Sequence, residues 1–231
     1  MQDEDYGLST ARHYAAYRPP LHVAILALGL RDDERFLYAL DVGCGAGSST
    51  HALQGWCDRV IGRDPSAAMI ELSHPTASIS FQQQPGEKID SGLEQNVFDL
   101  VTFAGSLFYL DTNAVLTSLE RLLTPDGKVI VYDFDVLLQP VFELLGTSMP
   151  AGDYNHLKKI PSTGESFLKV EKSTFGKTSF EVNSTQLAHL LYSVSAWRKG
   201  PLANLGFTEL VDELPPTTTL EAKMWLTRYA C

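Results

Sequence analysis

Three glycines stand at alternate positions in LDVGCGAGSST, residues 40–50, directly after an apolar run. Gly43, Gly45 and Gly47 let a backbone come close to a bound molecule, because glycine has no Cβ, and they also permit positive φ angles. A tight turn without a ligand ordinarily needs one such glycine. An acid, Asp41, comes two residues before the first of them. This spacing therefore predicts a turn that binds a ligand.

A second acid, Asp64, ends the next apolar run of the chain. An acid at this place can accept hydrogen bonds from ribose hydroxyls, although Asp64 stands before Pro65 and could instead cap a helix. The dinucleotide fingerprint G-x-G-x-x-G would fit Gly43 and Gly45, but its third glycine is replaced by Ser48. Asp41 suits a cationic ammonium group better than a phosphate. These residues favour S-adenosylmethionine as the ligand, and NAD is kept as the alternative.

The elements that must position these residues alternate between strands and helices. Two short helices are predicted within residues 11–30, on either side of Pro19 and Pro20. Short apolar runs predict five strands, at 36–43, 58–64, 78–84, 97–105 and 128–135. Helical patterns predict helices at 48–56, which Ser48 or Ser49 could cap, and at 65–73, 112–123 and 184–197. Residues 136 to about 180 look irregular, and 207–214 with 221–229 look like a terminal pair of strands.

This alternation predicts a parallel sheet with helices on both faces. Ligands of such sheets bind at the carboxyl ends of the strands, where the glycine turn lies. The net charge of -10 argues against nucleic acid and anionic membrane surfaces as partners. The three cysteines have no C-x-x-C spacing, and carboxylates and histidines never cluster at metal-ligand spacing, so no metal site is expected. No apolar stretch approaches the roughly 18 residues of a membrane span, and we expect a cytoplasmic protein. The sequence does not determine the oligomeric state.

The motifs together resemble those of class I S-adenosylmethionine-dependent methyltransferases of the methyltransferase-11 type, over roughly residues 11–135. ALDVGCGAGSST is similar to the first motif of the family, VIGRDPSAAMIELS to the second, and NVFDLVTFAGSLFYLD to the fourth-strand motif. ARHYAAYRPP resembles the N-terminal helix of a branch near trans-aconitate methyltransferases. The resemblance implies an α/β, Rossmann-like, seven-stranded, mostly parallel sheet with an antiparallel terminal strand. It also implies one domain over 1–231, with cap helices in 1–35 and a substrate-covering insertion at 136–185.

The resemblance further implies a set of residues that bind S-adenosylmethionine. They are Tyr14, Arg18, Asp41, Gly43, Cys44, Gly45, Asp64, Met69, Gly86, Glu87, Ala104 and Gly105. Arg63 stands where the family usually has an aliphatic residue. Its charge is expected to face solvent or a partner, so the second strand would end early or twist out.

Methyl transfer needs a general base only when the acceptor must lose a proton. The candidates are His13, His156, His189, Asp133 and Asp135, and the two acids alternate at the carboxyl end of the fifth strand. Lysines 158, 159 and 169 either form a solvated face or draw in an anionic acceptor.

The expected function is methyl transfer to a small molecule. The sequence does not decide whether the methylated atom is O, N or C. The alternatives are a protein that binds S-adenosylmethionine for a non-methylating reaction such as a cyclisation, and an NAD-dependent oxidoreductase.

Overall fold

A seven-stranded sheet forms the framework of the protein, in the strand order β3-β2-β1-β4-β5-β7-β6. The computed structural model describes residues 7–84, 88–162 and 166–231. Neighbouring strands from β3 to β5 pair in parallel, and the C-terminal strands are antiparallel, so the predicted Rossmann-like architecture is confirmed. The strands are β1 Phe36–Val42, β2 Cys57–Asp64, β3 Ile79–Gln83, β4 Phe98–Ala104, β5 Leu123–Val136, β6 Lys169–Asn183 and β7 Thr217–Ala230.

Short helices connect the strands in the described residues. They are α1 Leu8–Ala16, α2 His22–Leu26, α3 Ser48–Ala52, α4 Ala67–Glu71, α5 Thr112–Leu122, α6 Gln139–Leu144, α7 Ser184–Tyr192, α8 Ser195–Lys199 and α9 Phe207–Glu213. The break between α1 and α2 falls at the two prolines, as predicted, because proline cannot donate a helical hydrogen bond. None of the helices in the described ranges has both the length and the apolar character needed to cross a bilayer.

The chain divides into two compact units. The core unit comprises residues 20–134, 155–176 and 224–231, and the helical unit comprises residues 1–19, 135–154 and 177–223. Strands β1 and β4 are apolar on both faces, and Leu40, Phe98 and Phe103 are fully buried in the cluster at the centre of the core unit. The helical unit has a cluster of its own around Phe142 and Leu187.

The predicted terminal strand pair is partly wrong. Residues 207–213 form α9, because the Gly206 N–H donates to Glu209 Oε2 over 2.8 Å and starts a helix, with Leu210 on its buried side. The second C-terminal strand is instead β6, which lies at the sheet edge within the segment predicted to be an insertion. The substrate-covering role of the rest of 136–185 stays a prediction.

The start of α3 also differs from the prediction. Neither Ser48 nor Ser49 caps this helix; Gly47 precedes it, with a φ of 98°, and no side chain caps it. Ser49 is turned toward Asp41 instead, as described below.

Candidate active site

The glycine turn joins β1 to α3 at the carboxyl edge of the sheet. Gly43, Gly45 and Gly47 have φ angles of 72°, 56° and 98°, in the left-handed region that favours glycine. The N–H groups of Gly43 and Cys44 both donate to the Arg63 carbonyl of β2, over 2.7 and 3.0 Å. The turn is therefore fixed in its conformation by the neighbouring strand.

Protein side chains fill the space beside two of these glycines. A Cβ on Gly43 would lie 2.3 Å from the Ser106 Cβ, and one on Gly47 would lie 2.6 Å from the Phe81 ring. Ser106 donates a hydrogen bond to the Val42 carbonyl, which holds it against the turn. At these two positions the packing of the chain itself requires glycine, which adds a third reason to the close approach of a ligand and the positive φ angles.

Asp41 is a fully buried acid that ties three elements together. Its carboxyl oxygens accept hydrogen bonds from the hydroxyls of Ser49 and Thr50 in α3, over 2.5 and 2.8 Å, and from that of Thr102 in β4, over 2.8 Å. Burial raises the pKa of Asp41, while the three hydroxyl donors oppose that rise. Asp41 thus holds the first turn of α3 on the sheet, and a contact with an ammonium group stays a prediction.

Asp64 links the end of β2 to the glycine turn. Its Oδ2 accepts from the Gly45 N–H over 2.9 Å, and its Oδ1 accepts from the Ser66 N–H over 2.8 Å. The side chain is mostly buried, which raises the pKa of Asp64. Ser66, not Asp64, is the residue that caps α4, because its hydroxyl accepts from the Met69 N–H. The Asp64 carboxylate therefore contacts the glycine turn and is not the cap of α4.

Arg63 is buried, so the expectation that its charge faces solvent and that β2 ends early is wrong. It is only 5% exposed, and β2 continues past it to Asp64. Its guanidinium donates to the carbonyls of Ile89 and Ser91, over 3.1 and 2.8 Å, and to the Gln82 side-chain oxygen. A guanidinium can be buried in this way because carbonyl and amide oxygens satisfy its donors.

The other predicted cofactor residues occupy several places. Gly105 follows β4 with a φ of 67°, and its N–H donates to the Tyr132 carbonyl over 2.9 Å. Ala104 and Gly105 therefore lie at the carboxyl ends of the parallel strands, as the glycine turn does. Met69 and Cys44 are buried, and burial raises the pKa of the Cys44 thiol. Tyr14 and Arg18 belong to the helical unit, where the Arg18 guanidinium lies 4.2 Å from the Tyr14 ring centroid. Gly86 and Glu87 lie outside the described residues.

The structure brings two of the predicted catalytic candidates together. His156 Nδ1 lies 2.9 Å from Asp133 Oδ2, and Asp133 Oδ1 accepts from the Phe134 N–H over 2.8 Å. The His156 ring stacks on Trp225, with centroids 5.4 Å apart and planes 21° apart. Both carboxyl oxygens of Asp133 are thereby fixed, and so is the histidine.

The remaining candidates belong to the helical unit. His189 Nδ1 lies 3.0 Å from His13 Nδ1, and Phe207 packs against both rings. Burial, together with the charges of His189 and Arg198, lowers the pKa of His13 to about 4. Burial also lowers the pKa of His189. Asp135 is part of the same unit. This arrangement is a packed histidine pair within the helical unit.

A pocket of about 210 Å³ lies beside the Asp133–His156 pair. Its walls come from β5, β6, β7 and residues 156–159, and include Phe175 and Trp225, which the sequence analysis did not single out. The mostly polar composition of β6 hides this wall in the sequence, because the strand has no clear alternation of apolar and polar residues. Lys158 and Lys159 both line the pocket, and Lys158 also donates to the carbonyls of Phe108 and Leu110, over 2.9 and 2.7 Å. Among the described residues no group of three His, Cys, Asp or Glu side chains could hold a metal ion.

Comparison with protein families places this edge of the sheet in a known domain. A family model described as a methyltransferase domain matches residues 40–131, from the end of β1 into β5. Residues 40–131 are a methyltransferase domain. The matched range contains the glycine turn, Asp64 and Gly105, so the expectation drawn from these motifs is confirmed.

Individual proteins resemble the methyltransferase domain and its surroundings. The chain is 32% identical to trans-aconitate 2-methyltransferase of Escherichia coli over 145 residues. The aligned region covers 61% of this chain and 56% of that protein. It is 27% identical over 136 residues to a protein of Dictyostelium discoideum named as a methyltransferase, over 58% of this chain and 51% of that protein. The chain thus spans about half the length of these curated relatives.

A solved structure from Anaeromyxobacter dehalogenans, described as a type II methyltransferase, shares the fold of the chain. The TM-score is 0.62 at 18% identity, over 93% of this chain and 96% of that one. At this identity the likeness concerns the fold alone, and it agrees with the sheet described above.

Proposed function

We propose that this chain binds S-adenosylmethionine at the carboxyl edge of β1, β2 and β4 and transfers its methyl group to a small-molecule acceptor. The observation that carries the proposal is the Asp64 carboxylate, held against the Gly45 N–H within a methyltransferase domain. Each Asp64 oxygen accepts one backbone hydrogen bond. Since a carboxylate oxygen can accept two, each has capacity for one hydroxyl of a ribose.

The chemistry of the turn also fits this cofactor. It offers backbone amides and a carboxylate, which are partners for hydroxyl and ammonium groups. The nearby cation, Arg63, is turned toward Gln82 and two backbone carbonyls, which gives it a structural role rather than one at a pyrophosphate. The residues that would hold the cofactor are Gly43, Cys44, Gly45, Asp64, Met69, Ala104 and Gly105, with Asp41 behind them and Tyr14, Arg18, Gly86 and Glu87 as further candidates.

When bound, S-adenosylmethionine supplies an electrophilic methyl group on a sulfonium. The contribution of the protein is to place an acceptor in line with that group and to exclude water, which accounts for much of the rate of a displacement. The Escherichia coli relative is named as a methyltransferase of trans-aconitate. For this chain we propose only a small-molecule acceptor, without assigning a particular compound.

Calorimetric titration with S-adenosylmethionine, S-adenosylhomocysteine and NAD tests the proposal. We expect binding of the first two, and a 10- to 100-fold loss of affinity in Asp64→Asn, because hydrogen bonds to a charged group contribute about 1.5–3 kcal/mol. Asp99→Asn is the matched control. The Asp99 carboxylate likewise accepts from two backbone N–H groups, of Leu37 and Tyr38, but it lies at the opposite end of the parallel strands.

The control variant should bind both sulfur ligands as the wild type does. Binding of NAD alone would overturn the proposal in favour of a dehydrogenase. Equal losses of affinity in the two variants would show that the Asp64 effect is not specific to the site.

A further inference from the structure

We propose that the pocket between β5, β6, β7 and residues 156–159 binds a small organic anion with a flat apolar body, whose negative group pairs with the Lys159 ammonium. This inference goes beyond the proposed function, because it assigns a ligand class to a pocket that none of the predicted cofactor residues lines. It follows from the charge of the lining, the exposure of its apolar walls and the hydroxyl groups between them.

The lining of the pocket is positively charged although the protein is acidic. The chain has 28 Asp and Glu residues against 18 Lys and Arg residues. Lys158 and Lys159 line the pocket, and no Asp or Glu is among the described residues that do so. Asp133, which is hydrogen-bonded to His156, is outside the lining. Since a cleft lined by charges of one sign concentrates the opposite charge, the pocket favours an anion.

The two lysines have different roles in the pocket. Lys158 donates to the carbonyls of Phe108 and Leu110, over 2.9 and 2.7 Å, which fixes its Nζ but leaves its positive charge in place. Lys159 is exposed, and its ammonium has neither an ion-pair nor a hydrogen-bond partner among the described residues. Lys159 can therefore turn toward a ligand without giving up a contact in this part of the chain.

The apolar walls of the pocket lie against water. Leu157 and Phe175 both line it and are 55% and 52% exposed. The Phe175 ring packs against that of Trp225, with centroids 5.9 Å apart and planes 56° apart. A flat apolar body would remove these surfaces from water, which is favourable, and could pack against the tilted aromatic rings. The walls thus select an anion that carries an apolar ring or chain.

Two hydroxyl groups add polar partners for the anion. The Ser173 and Thr227 hydroxyl oxygens are 3.3 Å apart, and both residues line the pocket. Whichever of them donates in this pair, the other keeps a proton that it can donate to a ligand oxygen. Hydrogen-bond donors and a positive charge therefore occur in the same lining as the aromatic surface.

The pocket belongs to the core unit and is open to solvent. Its volume of about 210 Å³ therefore sets no upper limit to the size of the ligand. Its β5 wall consists of Val131 and Tyr132, which are the register partners of Phe103 and Ala104 in β4. The anion site and the proposed cofactor edge thus share one unit, and binding at one can be measured against binding at the other.

Titration of the full chain with benzoate and benzamide tests the inference. These single-ring probes have nearly the same shape, and only benzoate is charged at neutral pH. Saturation-transfer NMR, which observes the ligand, gives both dissociation constants. We expect saturable binding of both, tighter for benzoate by about two- to fivefold, because ion pairs exposed to water are weak. This preference should shrink as the salt concentration rises from about 0.05 M to about 0.5 M, since salt screens exposed charges.

Two exposed positions separate the charge from the apolar contact. Lys159→Gln should remove the preference for benzoate and leave benzamide binding unchanged, whereas Lys159→Arg should keep the preference. Phe175→Ala should weaken both probes by about two- to tenfold, because the ring of the probe loses an aromatic partner. Since both replaced side chains are exposed, these variants are expected to fold as the wild type does.

Lys88→Gln is the matched control. Lys88 is an exposed lysine of the same unit and is outside the lining, so its replacement should leave both dissociation constants unchanged. Equal affinities of the two probes for the wild type, an undiminished preference for benzoate in Lys159→Gln, or no saturable binding would overturn the inference.

S-adenosylhomocysteine binding, measured by calorimetry on the same variants, separates this inference from the proposed function. We expect Lys159→Gln and Phe175→Ala to bind S-adenosylhomocysteine as the wild type does, and benzoate not to displace it. Displacement by benzoate would put the anion in the cofactor site and overturn the inference. If the probes behave as expected and S-adenosylhomocysteine does not bind, the proposed function fails and the anion site stands.

Discussion

Replacement of Gly43 by alanine should destabilise the core unit for two separable reasons. The residue has a φ of 72°, and an alanine in the left-handed region costs about 1–2 kcal/mol. Its Cβ would also meet the Ser106 Cβ at 2.3 Å. Ser106 would have to move and give up its hydrogen bond to the Val42 carbonyl, and such overpacking costs about 1–3 kcal/mol. We expect a total loss of about 2–5 kcal/mol in the free energy of unfolding.

Gly92 offers a matched control, because it lies in the same unit with a φ of 69° but has no atom within 4 Å of a built Cβ. Gly92→Ala should therefore cost only the backbone part, about 1–2 kcal/mol. Urea unfolding followed by tryptophan fluorescence gives both values. Adding Ser106→Gly to Gly43→Ala should restore the steric part, which a double-mutant cycle isolates.

Equal losses in Gly43→Ala and Gly92→Ala, or no coupling between positions 43 and 106, would refute this account of the turn. The glycine would then be explained by its backbone angle alone.

Three further predictions concern side chains outside the turn. The folded-state pKa of His13, about 4, lies below its ordinary value, so the unfolded chain binds the extra proton and stability should fall as pH drops from about 6.5 to about 4. Water screens this part-exposed ring, so the loss is on the order of 1 kcal/mol, and His13→Gln should flatten the pH profile of urea unfolding. Arg63→Met should cost about 2–4 kcal/mol and speed amide hydrogen exchange over residues 88–93, since the carbonyls of Ile89 and Ser91 lose their donor. Lys158→Met should cost about 1–2 kcal/mol and loosen the 107–110 turn in the same exchange experiment, whereas Lys159→Met should leave both unchanged.

The sequence predicts β1 and β4 because these strands are buried on both faces. β1 and β4 are short apolar runs between polar turns, and such runs have few other structures available to them. Strand β6 could not be recognised in this way. It lies at the sheet edge, most of its residues are exposed, and its lysines, serines and threonines give it the composition of a loop.

Helix α9 was missed for a different reason. The stretch FTELVDEL has β-branched and aromatic residues that favour a strand, and the deciding signal was Glu209, three residues after Gly206. A local capping contact of this kind does not appear as hydrophobic periodicity.

The candidate site was predictable where a motif is continuous in the chain, and not where distant segments meet. The glycine turn and Asp64 could be placed at the sheet edge from their strand–turn pattern. The roles of Ser106 and Arg63 could not be predicted, because the partners of these two residues lie at least 19 residues away in the chain. Asp133 and His156 were both candidates, but their 2.9 Å contact depends on a fold that brings residues 133 and 156 together.

The place of Tyr229 in the core unit has a consequence for the order of folding during synthesis. Its fully buried ring belongs to a cluster whose other buried members lie between residues 40 and 168, and its hydroxyl accepts from the Ile160 N–H. Every segment of the helical unit precedes residue 224, so that unit is fully synthesised while the core unit still lacks Tyr229. Closing so long a loop is slow. We therefore expect the nascent core unit to stay incompletely packed on the ribosome after the helical unit has its full complement of residues.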